Sequence, residues 1–187
     1  MKTWSLTLLS TAAFIALPVF AQSTAGQKGS ADRMTNNTNT LSAADRTFAT
    51  KAAQGGMAEV EMGNLAKDHA SNQAVKDFGN RMVTDHSKAN DQLKDWASKN
   101  NFTLPTDMDA KDKATYDRLS KLNGAAFDKA YISDMVTDHH KDITEFKHEG
   151  MHGSNSDLKT WANSTVPTLE DHLKAAQDAQ RSVATGK

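Results

Sequence analysis

The chain has 187 residues, with 22 basic and 23 acidic side chains and no cysteine. Its formal net charge of −1 lacks the basic excess with which proteins bind nucleic acid or anionic membrane surfaces. The lack of cysteine excludes disulfide bonds, thiolate catalysis and cysteine-ligated metal sites. The fold must therefore be held by packing, or by packing together with a metal ion.

Residues 1–21 are predicted to be a cleavable signal peptide. Lys2 precedes an apolar stretch from Leu6 to Pro18, and small residues at Val19 and Ala21 predict cleavage after Ala21. The apolar stretch is shorter than the roughly 20 residues of a membrane span. Removing residues 1–21 leaves 166 residues with no second transmembrane candidate, so we expect a periplasmic or secreted protein.

The remaining chain is predicted to hold one folded domain. Residues 22–40 are rich in Ser, Thr, Asn and Gly and predict a flexible tether. The domain spans 41–183, and residues 184–187 form a tail. Ser42 and Asn72 are candidate helix N-caps. Apolar residues recur every three or four positions and predict helices over 42–70, 72–100, 110–122, 125–149 and 155–183.

Four of these helices are long and one is short, and no segment alternates apolar and polar residues as a strand would. Short links join the first two long helices and the last two, including a turn at 150–154. A longer crossover carrying the short helix joins the two pairs. This order predicts an all-α, ferritin-like four-helix bundle with one crossover. Pro167 lies inside the last helix, where it predicts a kink.

A five-residue repeat links two of the predicted helices. The sequence Met-Val-Thr-Asp-His occupies 82–86 and recurs at 135–139, and a shorter Glu-Asp-His lies at 170–172. Either a duplicated helix pair or a shared demand on both helices would explain the repeat. The chain resembles an exported bacterial family, domain of unknown function 4142, in segments 51–61, 82–90, 124–139 and 167–173. That family is grouped with ferritin-like folds. The resemblance covers about 41–180 and implies a periplasmic helical bundle without an established activity.

The candidate metal ligands lie on the predicted interior stripes of the four long helices. Three imidazoles and a carboxylate suit Cu, Zn or Fe, and bundle metal sites are built from facing helices in this way. The alternative is a polar, hydrogen-bonded core layer without metal. The aspartates before the histidines are expected beside the ligands or at the surface. The four candidates are Glu59, His86, His139 and His172.

A second candidate pair is His148 and His152, which with Glu149 form a His-Glu-x-x-His pattern. In zinc proteases the pattern needs a continuous helix, and we expect this helix to end at Gly150. The pair is therefore interpreted as a weak surface metal site or a solvated turn.

The function favoured by the sequence is non-catalytic: an exported binding or stress-related protein, whose interior residues are a candidate site for a transition metal. One alternative is a ferritin-like metal-dependent oxidase, although Glu is scarce among the interior positions. Another is a structural module that binds an unknown protein partner without metal. The doublet Gly55-Gly56 inside the first helix predicts a close approach by another helix, or a local kink.

Overall fold

A computed structural model describes residues 41–186 of the chain. The predicted signal peptide and tether lie outside these residues. Within them the protein is all-helical, which confirms the predicted fold class. The helices are α1 (Ala43–His69), α2 (Gln73–Lys99), α3 (Ala110–Leu119), α4 (Gly124–His152) and α5 (Ser156–Thr185).

The helix ends follow local capping chemistry. Ser42 and Asp45 form a reciprocal capping box at the start of α1, and Asn72 caps α2 through its side chain, as the sequence predicts. The prediction that α4 ends near Glu149 is wrong, because the helix continues through Gly150 to His152. Gly150 is tolerated there since its missing side chain leaves room for Asn163, which donates a hydrogen bond to the Gly150 carbonyl.

The four long helices pack into one bundle. Helix α1 lies mainly against α2, and α4 lies mainly against α5. The two pairs meet where α2 contacts α5 and α1 contacts α4, and the crossover helix α3 covers α1 and α4. Helix α5 runs without interruption through Pro167. None of the helices within residues 41–186 has both the length and the apolar composition of a membrane span.

The bundle interior is divided into two apolar clusters. The first cluster contains Phe78, Tyr131 and Met135, and the second contains Leu93, Phe146 and Leu169. In α2, α4 and α5 a buried histidine falls between the residues of one cluster and those of the other. A layer of buried polar side chains therefore separates the two halves of the core.

Two buried polar residues tie helix ends to neighbouring helices. The Asp128 carboxylate on α4 accepts hydrogen bonds from the Ser71 and Asn72 backbone amides at 3.1 and 3.0 Å, which fixes the α1–α2 turn. Asn155 caps α5 and also accepts a 3.1 Å hydrogen bond from the Trp96 indole. Both sets of hydrogen bonds join one helix pair to the other, so they set how the two pairs align.

Helices α1 and α2 approach each other closely at Gly63 and Gly79. A Cβ atom on Gly79 would lie 2.6 Å from the Ala66 Cβ and 2.9 Å from the Gly63 carbonyl oxygen. The expectation that Gly55-Gly56 marks this kind of approach holds only in part. Gly56 faces the Asn90 side chain, whereas nothing described lies within 4 Å of a Cβ on Gly55.

Candidate metal centre

The three predicted histidines meet in the polar layer between the two apolar clusters. His86 on α2, His139 on α4 and His172 on α5 are 7%, 0% and 1% exposed. Their ring centroids lie 5.2 to 5.9 Å apart. One nitrogen from each ring lies within 4.8 Å of the other two. Three helices thus bring three imidazoles together at one point.

Sequence spacing explains why these side chains point inward. His86 follows the buried Met82 by one helical turn, and His139 follows the buried Met135 in the same way. His172 lies three residues after the buried Leu169. Each histidine therefore continues an apolar stripe that its helix buries against its neighbours.

Hydrogen bonds fix which nitrogen of two rings can bind a ligand. His139 Nδ1 donates to the Met135 carbonyl at 2.9 Å, since a carbonyl can only accept. His172 Nε2 donates to the Asp85 carboxylate on α2 at 2.7 Å. Within residues 41–186, His139 Nε2, His172 Nδ1 and His86 Nε2 have no hydrogen-bond partner. In the neutral rings of His139 and His172 these nitrogens carry a free lone pair, because the other nitrogen donates. His86 Nε2 carries one in the tautomer that has its proton on Nδ1.

Electrostatics keep the three rings neutral. Burial and the two neighbouring imidazoles hold the pKa of His86 well below its usual value. Burial, with His172 alongside, lowers the pKa of His139 to about 4. Burial also lowers the pKa of His172, although the Asp85 hydrogen bond opposes that shift. Neutral imidazole is the form that ligates metals, so the cluster has the protonation state that a metal requires at neutral pH.

The partners of the rings match those around metal-binding histidines. Metal-ligating imidazoles commonly donate their second N–H to a carboxylate or a backbone carbonyl, which sets ring orientation. Asp85 and the Met135 carbonyl supply both kinds of acceptor here. Arg81 holds Asp85 in turn, with 3.3 Å between Nε and Oδ2. Burial alone would raise the pKa of Asp85, but the His172 hydrogen bond and Arg81 together lower it, so the carboxylate stays ionised.

Glu59, the fourth predicted ligand, is fully buried but lies apart from the open nitrogens. Its Oε1 is 3.8 Å from His139 Nδ1, on the side of the ring that donates to Met135. Its carboxylate instead groups with Asp138 and Asp142, with one oxygen from each within 4.8 Å of the others. The structure therefore assembles three of the four predicted residues and places the carboxylate behind one of them.

A cavity of about 230 Å³ reaches the cluster from the surface. Its walls include His86 and His172, as well as Asp138 and Asp142 on α4. An ion or a small molecule could reach the histidines along this route. Asp112 on the crossover helix α3 also lines the cavity, so α3 forms part of the entrance.

His148 and His152 both lie in α4, because the helix continues past its predicted end. Their ring centroids are 4.8 Å apart on the exposed surface. Among the described residues no third His, Asp or Glu completes a ligand group with them. Glu170, the potential third ligand of a protease-like site, forms an ion pair with Lys147 at 2.6 Å. A zinc-protease arrangement is therefore not assembled.

Glu149, between these two histidines, points into the bundle and pairs with Asp45 on α1. Burial and the Asp45 charge raise the pKa of Glu149 to about 7 from an ordinary value of 4.5. The folded state thus holds this proton more tightly than the unfolded chain does. The stability from this pair is fully present below about pH 4.5 and is lost as the pH rises through about 7.

Sequence reasoning missed the roles of two acidic residues. It placed Asp85 at the side of α2 without identifying its bond to His172 on α5, because that contact depends on how the two helices cross. It also missed Asp142, which lies one turn after Asp138 on α4 and faces Glu59. The four-residue spacing of these two aspartates was the available signal.

The fold and the cluster together define an all-helical bundle with three histidines at its centre. Residues 30–179 match the family model described as domain of unknown function (DUF4142), and the chain belongs to this family. A Streptomyces coelicolor protein, described as secreted and assigned to DUF305, has a similar structure with a TM-score of 0.65 and 16% sequence identity. The similarity covers 76% of this chain and 93% of that one and shows a shared fold. No curated protein matches the chain.

Proposed function

We propose that the protein is an exported, non-catalytic metal-binding bundle, with one transition-metal ion held by His86, His139 and His172. Two observations carry this proposal together. The three buried imidazoles converge, with one nitrogen from each within 4.8 Å of the other two. Each ring also has one buried nitrogen without a hydrogen-bond partner in the described chain. An unpartnered buried polar atom costs about 1–3 kcal/mol, so three at one point need a compensating ligand. A metal ion supplies it.

The donor set suits zinc, copper or iron, each of which binds neutral imidazole. Zinc at about 2.0–2.1 Å from each nitrogen in a tetrahedral site would place the nitrogens about 3.3 Å apart. The present spacing, within 4.8 Å, requires small side-chain rotations to reach that arrangement. The buried thioethers of Met82 and Met135 lie one turn before two of the histidines and favour copper.

Export is supported by two observations. Residues 1–21 have the charged, apolar and small-residue regions of a signal peptide. The structurally similar Streptomyces protein is described as secreted. A periplasmic or extracellular location places the site where metal ions arrive from outside the cell, and binding or storage of such an ion is the role that we infer.

Metal content tests the proposal. Elemental mass spectrometry of protein purified without chelators, followed by reloading with Cu, Zn or Fe, is expected to give about one metal ion per chain. The variant His86→Ala with His139→Ala is expected to bind none of these three metals. The matched control, His148→Ala with His152→Ala, removes two exposed histidines and is expected to keep full occupancy. Circular dichroism on the same samples checks that each variant folds.

Two outcomes would contradict the proposal. Wild-type protein that takes up no metal after reloading would leave the three histidines as a polar core layer in a structural module. Unchanged binding in the His86/His139 variant, with loss in the surface control, would move the site to the end of α4.

A metal-dependent oxidase is a second candidate, supported by the cavity that reaches His86 and His172. Such access would let a small molecule occupy an open coordination position. Oxygen consumption by the loaded protein with Fe(II) or Cu(I) would support the oxidase, whereas metal binding without oxygen consumption supports the binding role.

A further inference from the structure

A second group of ligand-capable side chains lies behind His139, outside the three-histidine cluster. Glu59 projects from α1, and Asp138 and Asp142 project from successive turns of α4. One carboxylate oxygen from each lies within 4.8 Å of the other two. We call these three residues the carboxylate group.

Glu59 is the unusual member of the carboxylate group. Its side chain is completely buried, and in the part of the chain that the structure describes neither oxygen has a hydrogen-bond partner. The exposed acidic residues of the bundle are solvated, whereas the Glu59 side chain has no exposed surface. An ionised buried carboxylate must be matched by positive charge or by hydrogen bonds, or else it takes up a proton.

The surroundings of Glu59 supply excess negative charge. Six acidic residues and three lysines line the adjoining cavity. Lys141 directs its ammonium group to Asp142 at 3.4 Å and Glu145 at 3.8 Å. No lysine or arginine nitrogen among residues 41–186 lies within 4.0 Å of the Glu59 carboxylate. Burial and the neighbouring Asp138 and Asp142 accordingly raise the pKa of Glu59 well above its usual value.

We propose that Glu59, Asp138 and Asp142 bind a divalent cation that prefers oxygen ligands, at a site separate from the three histidines. Carboxylates are the ligands that Mn²⁺, Mg²⁺ and Ca²⁺ select, in contrast to the imidazoles nearby. Ca²⁺–oxygen distances of about 2.3–2.6 Å place ligands on opposite sides of the ion about 5 Å apart. Three oxygens spaced evenly around such an ion would lie about 4.0–4.5 Å apart. Carboxylate oxygens within 4.8 Å of one another therefore reach this arrangement with small side-chain rotations.

The cavity gives two of the three carboxylates a route to solvent. Asp138 and Asp142 form part of its wall, and Asp112 on α3 lines it too. Waters entering by this route can complete the coordination of an ion held by three carboxylates, as hard cations commonly retain some of their water. The cation would also offset the charge of Glu59 without requiring its protonation.

Titration with Mn²⁺ tests the proposal, because the electron paramagnetic resonance signal of free Mn²⁺ decreases on binding. The wild-type protein is expected to bind about one Mn²⁺ per chain and to release it to excess Ca²⁺. Glu59→Gln and Asp142→Asn are each expected to weaken binding at least tenfold. The control Asp157→Asn, at an exposed position on α5, makes the same charge change and is expected to leave affinity unaltered.

A triad variant, His86→Ala with His172→Ala, separates this site from the proposed transition-metal site. Mn²⁺ binding is expected to persist in that variant while copper or zinc binding is lost. Failure of wild-type protein to bind Mn²⁺ stoichiometrically would overturn the carboxylate site and indicate that Glu59 holds a proton instead. Binding that survives both carboxylate variants, or disappears in the triad variant, would overturn it as well. Zinc or copper content, measured on the same samples, tests the histidine site independently.

Discussion

The contact between Gly63 and Gly79 predicts that a single methyl group will separate helices α1 and α2. In Gly79→Ala the added Cβ would meet the Ala66 Cβ at 2.6 Å and the Gly63 carbonyl oxygen at 2.9 Å. Carbon atoms in favourable contact are about 3.5–4.0 Å apart, so the helices must move by about 1 Å at this crossing. Both obstacles lie at the backbone or one bond from it, and no flexible side chain can turn away.

The expected magnitude combines two opposing effects. Overpacking in a well-packed core costs about 1–3 kcal/mol, and replacing Gly by Ala inside a helix returns about 1 kcal/mol. With backbone on both sides of the clash, we expect Gly79→Ala to lower the free energy of unfolding by about 1–2 kcal/mol. Gly55→Ala has only the favourable effect, since nothing described lies within 4 Å of its Cβ, and should raise stability by up to about 1 kcal/mol.

Urea unfolding followed by circular dichroism measures this difference. The two variants make the same chemical change in helices of the same bundle, so each serves as the other's control. They should differ by about 1–3 kcal/mol, with melting temperatures separated by roughly 2–12 °C. A Gly79→Ala variant as stable as Gly55→Ala would refute the close helix crossing and the account of packing built on it.

Four further outcomes follow from single contacts. The wild-type protein should lose stability between pH 5 and 8 as Glu149 ionises, and in Glu149→Gln this loss should be smaller by about 1–3 kcal/mol. An unaltered pH profile in urea unfolding would contradict the shared proton. Asp128→Asn should lower the free energy of unfolding by about 2–3 kcal/mol in the same assay, because a charged acceptor for two backbone amides is lost. Asn155→Ala should lower the free energy of unfolding by about 2 kcal/mol, because the helix cap is lost and the Trp96 indole loses its acceptor. A smaller loss when the same change is made in Trp96→Phe would give the contribution of the indole hydrogen bond. Asp85→Asn should weaken metal binding about 10–100-fold in calorimetric titrations while stoichiometry stays unchanged, and equal affinity would exclude a role in orienting the imidazole.

The helices and the inward direction of the histidines could be predicted from the sequence alone. Apolar residues at helical spacing, with Ser42 and Asn72 as caps, give the start of α1 and α2 to within a residue. The end of α4 could not be predicted in this way. Glycine at position 150 is a usual stop signal, but here it makes room for Asn163 from another helix, a tertiary contact that sequence spacing does not encode.

The candidate site shows the same division between local and tertiary information. Helical period alone predicts that His86, His139 and His172 face the interior. It does not fix rotation about the side-chain bonds or the relative height of helices, and these decide that Glu59 lies behind His139. The separate carboxylate group arises from how α1 and α4 are staggered, and the Asp85–His172 bond arises from how α2 and α5 are staggered.

The polar layer at mid-height has a consequence for how long the protein lasts in the cell envelope. Three imidazole nitrogens without partners in the described chain weaken the bundle at its centre, where the two apolar clusters meet. On the proposed function, an ion bound at a thousand times its dissociation constant adds about 4 kcal/mol of stability. Since proteases degrade transiently opened chains, loaded molecules would survive and empty ones would be cleared. The abundance of the protein would then follow the supply of metal without any change in its synthesis.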